Sequence, residues 1–168
     1  MRNKLLPPLV KIRFATVADI PLILVLAQHS PTAAQWNEKQ YLELFQPDSD
    51  GPERLILIAE SSPAVPAKDK TTGIDGFLVA RHVAHEWELE NIVVAEIARR
   101  HGIGGQLLEV LLTTASETEG VSVFLEVRES NVAARSLYEK SHFLQTGRRP
   151  GYYVNPSEDA ILYRYDLL

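Results

Sequence analysis

The sequence predicts an α+β (mixed α/β) fold built around a single sheet. Apolar strand patterns alternate along the chain with amphipathic helix patterns, which is typical of a domain whose helices pack against a sheet. The chain has 168 residues, the length of one domain, and 45% of them are hydrophobic, which is enough for a substantial core. We therefore expect one domain over residues 1–168, with an N-terminal extension at 1–9 and an exposed loop at 61–73.

Six segments have the composition and spacing of strands. Residues 121–127 are almost continuously apolar, as expected of a strand that is covered on both faces, whereas apolar and polar side chains alternate over 160–167. A turn at Ala84 and His85 joins two of the strands into a predicted hairpin. The predicted strands are 10–14, 54–60, 74–83, 86–94, 121–127 and 160–167.

Four segments have the spacing of helices. The strongest pattern covers 102–117, where Leu107, Leu108, Leu111 and Ala115 share one face. Polar side chains occupy the opposite face, so this helix is expected to lie on the surface of the domain. The predicted helices are 19–28, 36–45, 102–117 and 131–140.

Composition argues against several functional classes. There are 17 Lys and Arg residues against 22 Asp and Glu residues, and this balance of −5 argues against a nucleic-acid partner. The absence of Cys excludes disulfide frameworks, thiolate metal sites and a Cys nucleophile, and it fits a reducing compartment. The longest apolar run, 20–27, is too short to cross a membrane, and Pro7 and Pro8 interrupt the apolar start of the chain. We expect a cytoplasmic protein without a metal or a membrane partner; its oligomeric state is left open.

A glycine-rich turn between an apolar strand and the long helix is the most informative segment. Arg99 and Arg100 precede Gly102, Gly104 and Gly105, which open the helix. Helix N-termini attract anions through unpaired N–H groups, glycines let a ligand approach the backbone closely, and the arginines add positive charge. The segment lacks the Lys of a P-loop and the third glycine of a dinucleotide fingerprint. It therefore predicts a pyrophosphate cradle of another type, with a simple tight turn into the helix as the alternative.

The motif Arg99-x-x-Gly102-x-Gly104 resembles the acetyl-CoA pyrophosphate motif of the GNAT superfamily of N-acetyltransferases. Residues 12–19 are also similar to that family, and 125–140, 147–153 and 158–160 resemble the ribosomal-protein-alanine N-acetyltransferases in particular. The resemblance implies a GNAT-type fold, with a mostly antiparallel central sheet, a splayed parallel strand pair and helices on both faces. It also implies an enzyme that transfers the acetyl group of acetyl-CoA to an amine, namely the N-terminal α-amine of a protein such as a ribosomal protein.

The same resemblance implies roles for individual residues. Glu126 would be the general base, Tyr138 the general acid to the CoA sulfur, and Asn131 a hydrogen-bond partner of the pantetheine arm. The region around Trp36 would face the acceptor. Backbone contacts to the acetyl and pantetheine part are implied for Ile92, Val93 and Val94. Contacts to the pyrophosphate are implied for Arg99, Arg100, His101, Gly102, Ile103, Gly104 and Gly105.

The residue chemistry is consistent with such a transfer. Attack of an amine on a thioester needs a base for the amine proton and a donor for the thiolate, but no covalent enzyme intermediate. Asn131 and Tyr138 lie seven residues apart, on one face of a predicted helix. Each residue also has a structural interpretation. Tyr138 is alternatively a core aromatic residue, Asn131 a helix N-cap, and Glu126 a carboxylate paired with an arginine such as Arg128.

A second carboxylate is an alternative base. Glu86, Glu88 and Glu90 alternate with Trp87 and Leu89 along one predicted strand, and other branches of the superfamily resemble this sequence in placing a catalytic Glu at the position of Glu88. These side chains alternatively form a solvated strand face or an acidic wall that attracts a cationic peptide. Two other functions stay open, namely transfer to a small-molecule or lysine amine and a non-catalytic acyl-CoA-binding module.

Two positions depart from the family pattern. His142 stands where the family has a glycine after the Tyr138 helix, and a left-handed conformation there costs a non-glycine residue about 1–2 kcal/mol. Gly105 stands where Arg or Lys is common, so one phosphate contact is expected to be missing.

Overall fold

The computed structural model describes residues 10–46, 53–60 and 73–167. They form a seven-stranded sheet with the strand order β1-β2-β3-β4-β5-β7-β6. The strands are β1 (Ile12–Phe14), β2 (Glu53–Glu60), β3 (Ile74–Val83), β4 (Glu86–Val94), β5 (Ser122–Arg128), β6 (Leu144–Val154) and β7 (Ser157–Asp166). The helices are α1 (Ile20–Gln28), α2 (Glu38–Leu44), α3 (Ile103–Glu117) and α4 (Val132–Lys140). The predicted N-terminal extension and all but the last residue of the loop predicted at 61–73 lie outside the described residues.

Contacts along β3 show that helices cover both faces of the sheet. The ring of Phe77 packs edge-on against Tyr41 of α2, with 6.3 Å between ring centroids. A Cβ on the neighbouring Gly76 would meet the side chains of Ile103 and Leu107 of α3, each at 3.5 Å. Because adjacent strand residues point to opposite faces, α2 and α3 lie on opposite sides of the sheet. The predicted fold class is confirmed.

The one parallel pairing in the described sheet joins β4 to β5, and it is short. Only Glu86–Glu88 pair with Ser122–Phe124, although both strands continue beyond these residues. In β4 the register with β3 also shifts, because Leu89 and Asn91 face consecutive residues of β3 and Glu90 is the extra residue of a bulge. A bulge bends its strand. The two strands therefore part after their first residues, which is the splayed pair that the resemblance implied.

Strand β6 is the element that the sequence analysis missed. It lies at the edge of the sheet and nearly all of its residues are exposed, so it has none of the apolar alternation that marks the other strands. Pro150 and Gly151 also interrupt its sequence. The hairpin 74–83 and 86–94 was predicted with the correct ends, whereas β7 begins at Ser157 and not at Ala160.

Two local predictions are confirmed. The predicted apolar face of α3 is completely buried. His142, directly after the turn that ends α4, has a φ of 67°, which is the left-handed conformation expected at this position. The buried residues of the α3 face are Leu107, Leu108, Leu111 and Ala115.

A buried ion pair fixes the transition from β1 to α1. Arg13 donates hydrogen bonds of 2.9 and 2.7 Å to the two carboxylate oxygens of Asp19, and the Thr16 amide donates a third at 2.7 Å. The Asp19 side chain is only 8% exposed. Hydrogen bonding from Arg13 lowers the pKa of Asp19 to about 2, although burial opposes the shift. The folded state therefore favours the charged carboxylate.

Asp19→Asn is expected to lower the free energy of unfolding by about 2 kcal/mol near neutral pH, because each pKa unit is worth about 1.4 kcal/mol. The charged carboxylate contributes fully above the pKa of the unfolded chain, and its contribution is lost as pH falls through about 2. Urea unfolding of both proteins across this range measures the difference. The difference in free energy of unfolding between the two proteins should disappear at low pH. A difference that does not change with pH would contradict its electrostatic origin.

Candidate active site

The gap between β4 and β5 exposes a stretch of strand backbone. Ile92, Val93 and Val94 pair with β3, and none of them pairs with a described residue of β5. Backbone N–H and C=O groups need partners, so this edge can form strand-like hydrogen bonds with an extended ligand. The position agrees with the role that the resemblance implied for these three residues.

Helix α3 begins with backbone amides that no described side chain caps. Its N-cap, Gly102, has a φ of 81°, a left-handed conformation that glycine adopts without strain. The first intrahelical hydrogen bond runs from the Gln106 amide to the Gly102 carbonyl at 3.0 Å. The amides of Ile103, Gly104 and Gly105 precede it and are left for an anion.

The residues before this helix hold the turn in place. Arg99 and Arg100 are exposed, and Arg99 Nε donates to the Val94 carbonyl at 3.2 Å. The His101 ring lies 3.3 Å from the Ala98 carbonyl, inside the turn. The structure thus brings the two arginines, the end of β4 and the first amides of α3 together, as the sequence predicted.

The glycines of the turn serve different purposes. A Cβ on Gly104 would lie 2.8 Å from Cδ2 of Leu137 on α4, so glycine at this position allows the two helices to approach each other. A Cβ on Gly105 would meet nothing within 4 Å. We expected close ligand approach at both positions, but a packing constraint accounts for Gly104. Of these two positions, only Gly105 is bordered by open space.

Glu126 lies on β5 and its side chain is 18% exposed. Its Oε1 is 3.0 Å from Nη1 of Arg149 on β6. Hydrogen bonding to Glu126 raises the pKa of the Tyr152 hydroxyl, so a second hairpin residue also reaches this carboxylate. The expected partner Arg128 is wrong, because its guanidinium turns to the connection between β6 and β7.

Tyr138 of α4 is buried against the rings of Phe143 and Tyr163, with centroids 6.0 and 5.9 Å away. Burial raises the pKa of Tyr138, so its hydroxyl keeps the proton at neutral pH. Within the described ranges this hydroxyl has no hydrogen-bond partner. Tyr138 therefore packs as a core residue, and its hydroxyl proton has no acceptor among the described residues.

Tyr153 connects Glu126 with Tyr138. Burial, followed by the charge of Glu126, raises the pKa of Tyr153. Tyr153 in turn contributes to the raised pKa of Tyr138. One residue is therefore within electrostatic reach of both predicted catalytic groups.

Asn131 is the N-cap of α4. Its side-chain oxygen accepts a hydrogen bond of 3.2 Å from the Ala134 amide, which confirms the structural interpretation. The side-chain NH₂ group has no acceptor among the described residues, so it can still donate to a ligand. Capping and ligand binding use different atoms of this side chain.

The glutamates of β4 are neutralised by arginines. Burial raises the pKa of Glu90 despite its arginine neighbours. Glu88 is near enough to Tyr152 to influence its pKa, so the alternative base borders the same space as Glu126. Neither a solvated acidic face nor an unbalanced acidic wall describes this strand. The ion pairs are Glu86 with Arg164 (2.8 Å), Glu88 with Arg81 (2.5 Å) and Glu90 with Arg54 (2.5 Å).

A pocket of about 250 Å³ lies between α2 and the sheet, beside Trp36. Glu90 connects it to the strand that also carries Glu88. Its lining residues are Trp36, Gln40, Glu43, Leu44, Arg54 and Glu90. The sequence analysis singled out only Trp36 of this set in connection with the acceptor.

The sequence profile of the acetyltransferase (GNAT) family matches residues 24–143, which is more than half of the chain. This chain belongs to the GNAT family. It is an acetyl-CoA-dependent N-acetyltransferase. Among the described residues of this GNAT protein, no three His, Asp or Glu side chains are placed to hold a metal ion, and no helix could span a membrane.

Relatives confirm the resemblance within the family. The [ribosomal protein bS18]-alanine N-acetyltransferase of Salmonella typhimurium is 31% identical over 153 residues, which cover 90% of this chain and 93% of that protein. The crystal structure of the ribosomal-protein-S18-alanine N-acetyltransferase from Escherichia coli matches with a TM-score of 0.72 and 26% identity, covering 95% of this chain and 94% of that one. The structure of Ard1 from Thermoplasma volcanium matches with a TM-score of 0.77 and 26% identity, covering 95% and 98%.

The two glycines at the start of α3 in this GNAT protein can be separated by substitution. Gly104→Val is expected to lower the free energy of unfolding by about 1–3 kcal/mol, because the new side chain collides with Leu137. Gly105→Val projects into open space and replaces a poor helix former, so its effect should be within about 0.5 kcal/mol. Urea unfolding measures both. Equal losses in the two variants would contradict the packing role of Gly104.

Proposed function

We propose that this GNAT enzyme acetylates the N-terminal α-amine of a protein, such as a ribosomal protein, by direct transfer from acetyl-CoA. The proposal is supported by the opening between β4 and β5, where the start of α3 is uncapped, and by Tyr153, which is within electrostatic reach of both Glu126 and Tyr138. A base for the amine and a donor for the thiolate are the two groups that direct transfer requires. The Salmonella relative is an alanine N-acetyltransferase of ribosomal protein bS18, which supports the acceptor class.

The residues around the gap fit acetyl-CoA as the donor. The uncapped amides at the start of α3 and the exposed arginines before it suit the pyrophosphate. The free strand edge of β4 and the NH₂ group of Asn131 suit the amides and carbonyls of the pantetheine arm. The donor-binding residues in this proposal are Ile92, Val93, Val94, Arg99, Arg100, His101, Gly102, Ile103, Gly104, Gly105 and Asn131.

Glu126 is the proposed general base. It takes the proton of the acceptor ammonium, directly or through a water molecule, before the amine attacks the thioester. Glu126 is a single carboxylate paired with Arg149, and a base of this kind suits an amine that is partly neutral already. An α-amine has a pKa of about 7.7–8.0 and a lysine about 10.4, which makes the lysine roughly 3.4 kcal/mol harder to deprotonate. This difference favours the α-amine as acceptor.

Tyr138 is the proposed proton donor to the sulfur. The departing thiolate carries a full negative charge until it is protonated, and a hydroxyl aimed at it stabilises that charge. Burial keeps Tyr138 protonated, and no described acceptor occupies its proton. The hydroxyl is therefore available at the moment when the thiolate forms.

The ion pairs favour Glu126 over Glu88 as the base. Arg81 contacts one oxygen of Glu88 through Nε at 2.6 Å and through Nη2 at 2.5 Å. Arg81 therefore holds this one oxygen of Glu88 through two donors. Glu126 has one arginine contact, at 3.0 Å.

A matched pair of peptides tests the acceptor class. One peptide has a free α-amine and no lysine, and the other has the same sequence with a blocked α-amine and one lysine. With acetyl-CoA, we expect thiol release and a mass increase of one acetyl group on the first peptide only. Acetylation of the lysine peptide or of small amines alone would contradict the proposed acceptor. Acetyl-CoA binding without turnover on any amine would indicate a binding module.

Glu126→Gln is expected to lower the turnover rate near neutral pH by about 10²–10⁴-fold, because the amide cannot accept the proton. Activity should recover in part as pH rises above the α-amine pKa of about 7.7–8.0, where the acceptor loses its proton unaided. Steady-state rates over the same pH range for Glu88→Gln provide the control, which should stay near wild type. The reverse pattern would move the base to β4.

Tyr138→Phe is expected to keep acetyl-CoA affinity and thermal stability while turnover falls by about 10²–10⁴-fold, because only the unbonded hydroxyl is lost. Tyr163→Phe is the matched control. The Tyr163 hydroxyl donates to Glu139 at 2.6 Å and accepts from Arg135, so this variant should lose stability and retain turnover. Normal turnover in Tyr138→Phe would show that the residue serves packing alone.

A further inference from the structure

The hairpin of β6 and β7 supplies Arg149 to Glu126, and its strand pairing is interrupted directly after that residue. Arg149 faces Ala160 and Tyr153 faces Glu158, so three residues of β6 lie opposite one residue of β7. The irregular stretch includes Tyr152. Ladder hydrogen bonds are disrupted where strands bulge, and β6 is also the edge strand of the described sheet, with no described strand on its other side. Other contacts must hold this part of the hairpin in place.

Arg128, the last residue of β5, makes these contacts. Its guanidinium donates to the carbonyls of Asn155 at 3.2 Å and Pro156 at 3.3 Å. It also lies 3.4 Å from a carboxylate oxygen of Glu158 and 4.2 Å from the ring centroid of Tyr153. All four partners belong to the end of the hairpin, and the Arg128 side chain is only 21% exposed.

Two carboxylates complete the attachment. The other oxygen of Glu158 accepts a hydrogen bond of 2.5 Å from the Ser130 amide, directly after β5. Asp159 accepts from the Gly151 amide at 2.9 Å and pairs with Arg148 at 3.0 Å, within the hairpin. The end of the hairpin is therefore tied to β5, and its irregular stretch is tied to β7.

Arg128 and Glu126 are alternate residues of one strand and lie on the same face. The strand that carries the proposed base therefore also holds the hairpin whose Arg149 reaches that base. Acetyl-CoA is expected on the other side of the gap, along β4 and the start of α3. No described contact of the Arg128 side chain involves either of these elements.

We propose that Arg128 is a positioning residue for acetyl transfer, which fixes the end of the β6–β7 hairpin so that Arg149 stays against Glu126 on the acceptor side of the site. The inference rests on the proposed role of Glu126. Loss of the Arg128 contacts frees the hairpin end, so the acceptor meets a misplaced surface while the binding of acetyl-CoA is unaffected. Misplacement by about 1 Å costs up to about 10²-fold in rate.

Arg128→Ala tests this role in the full-length protein, with whichever peptide the wild type acetylates. We expect kcat/KM for the peptide to fall by about 10–100-fold, with the dissociation constant of acetyl-CoA unchanged. Arg128→Lys keeps the charge but not the two carbonyl contacts, so it should recover part of the loss. Amide hydrogen exchange over 148–156 should rise in Arg128→Ala, which reports on the hairpin independently of turnover.

Arg164→Ala is the matched control. Arg164 also lies on the hairpin and pairs with two carboxylates, Glu86 at 2.8 Å and Asp166 at 2.7 Å, but it is remote from the hairpin end. We expect it to change stability without a selective loss of peptide kcat/KM. A peptide kcat/KM in Arg128→Ala within about twofold of wild type, or an equal loss of acetyl-CoA affinity, would overturn the positioning role.

The double variant with Arg128→Ala and Glu126→Gln distinguishes the positioning role of Arg128 from the assignment of Glu126 as the base. If Arg128 acts through Glu126, the two losses should not add, because residues that share one function are coupled. Additive losses would overturn the positioning role and leave Glu126 as the base. Near-normal activity of Glu126→Gln alone would overturn the base assignment. If Arg128→Ala does not fold, Arg128→Lys and Glu158→Gln give the same comparison.

Discussion

The separation of β4 from β5 is the constraint on which the rest of the site depends. Parallel pairing ends at Glu88 and Phe124, and the bulge at Glu90 turns the remainder of β4 away. Inside a sheet, backbone groups are normally satisfied by the next strand, and here that strand has moved off. What fills the gap must supply donors and acceptors along an extended line, as the amides of a pantetheine arm do.

The helices that follow the two strands place charged and polar groups at this gap. Helix α3 follows β4 and presents its uncapped amides, and α4 follows β5 and presents Asn131. Gly104 lets the start of α3 approach the side chain of Leu137 on α4. A side chain at this position would separate the helices, which is why a residue in a ligand motif has a packing function.

The hairpin of β6 and β7 provides the cation that pairs with Glu126. A carboxylate with little exposure needs a cation or hydrogen-bond donors, and Arg149 and Tyr152 provide them. These two residues come from an edge strand with an irregular register. Arg149 is in register with Ala160, and the hairpin beyond it is held by the side chains of Arg128 and Asp159.

Features that depend on neighbouring residues were determined by the sequence itself. The buried face of α3 follows from apolar spacing, the uncapped start of α3 from glycines before a helix, and the left-handed His142 from its place after a helix. Because only nearby residues enter these patterns, a single chain is enough to predict them. The segments that resemble the GNAT family added the splayed strand pair, which the structure confirms.

Only the tertiary structure decided the features that join distant segments. Sequence proximity suggested Arg128 as the partner of Glu126, but sheet register brings Arg149 to the carboxylate and sends Arg128 to the hairpin end. Strand β6 escaped prediction because an exposed edge strand needs no apolar alternation, and its pairing to β7 alone defines it. The physical reason is common to both. Ion pairs and strand ladders form between residues that are distant in the sequence and are brought together by folding. A local sequence pattern does not indicate which residues these will be.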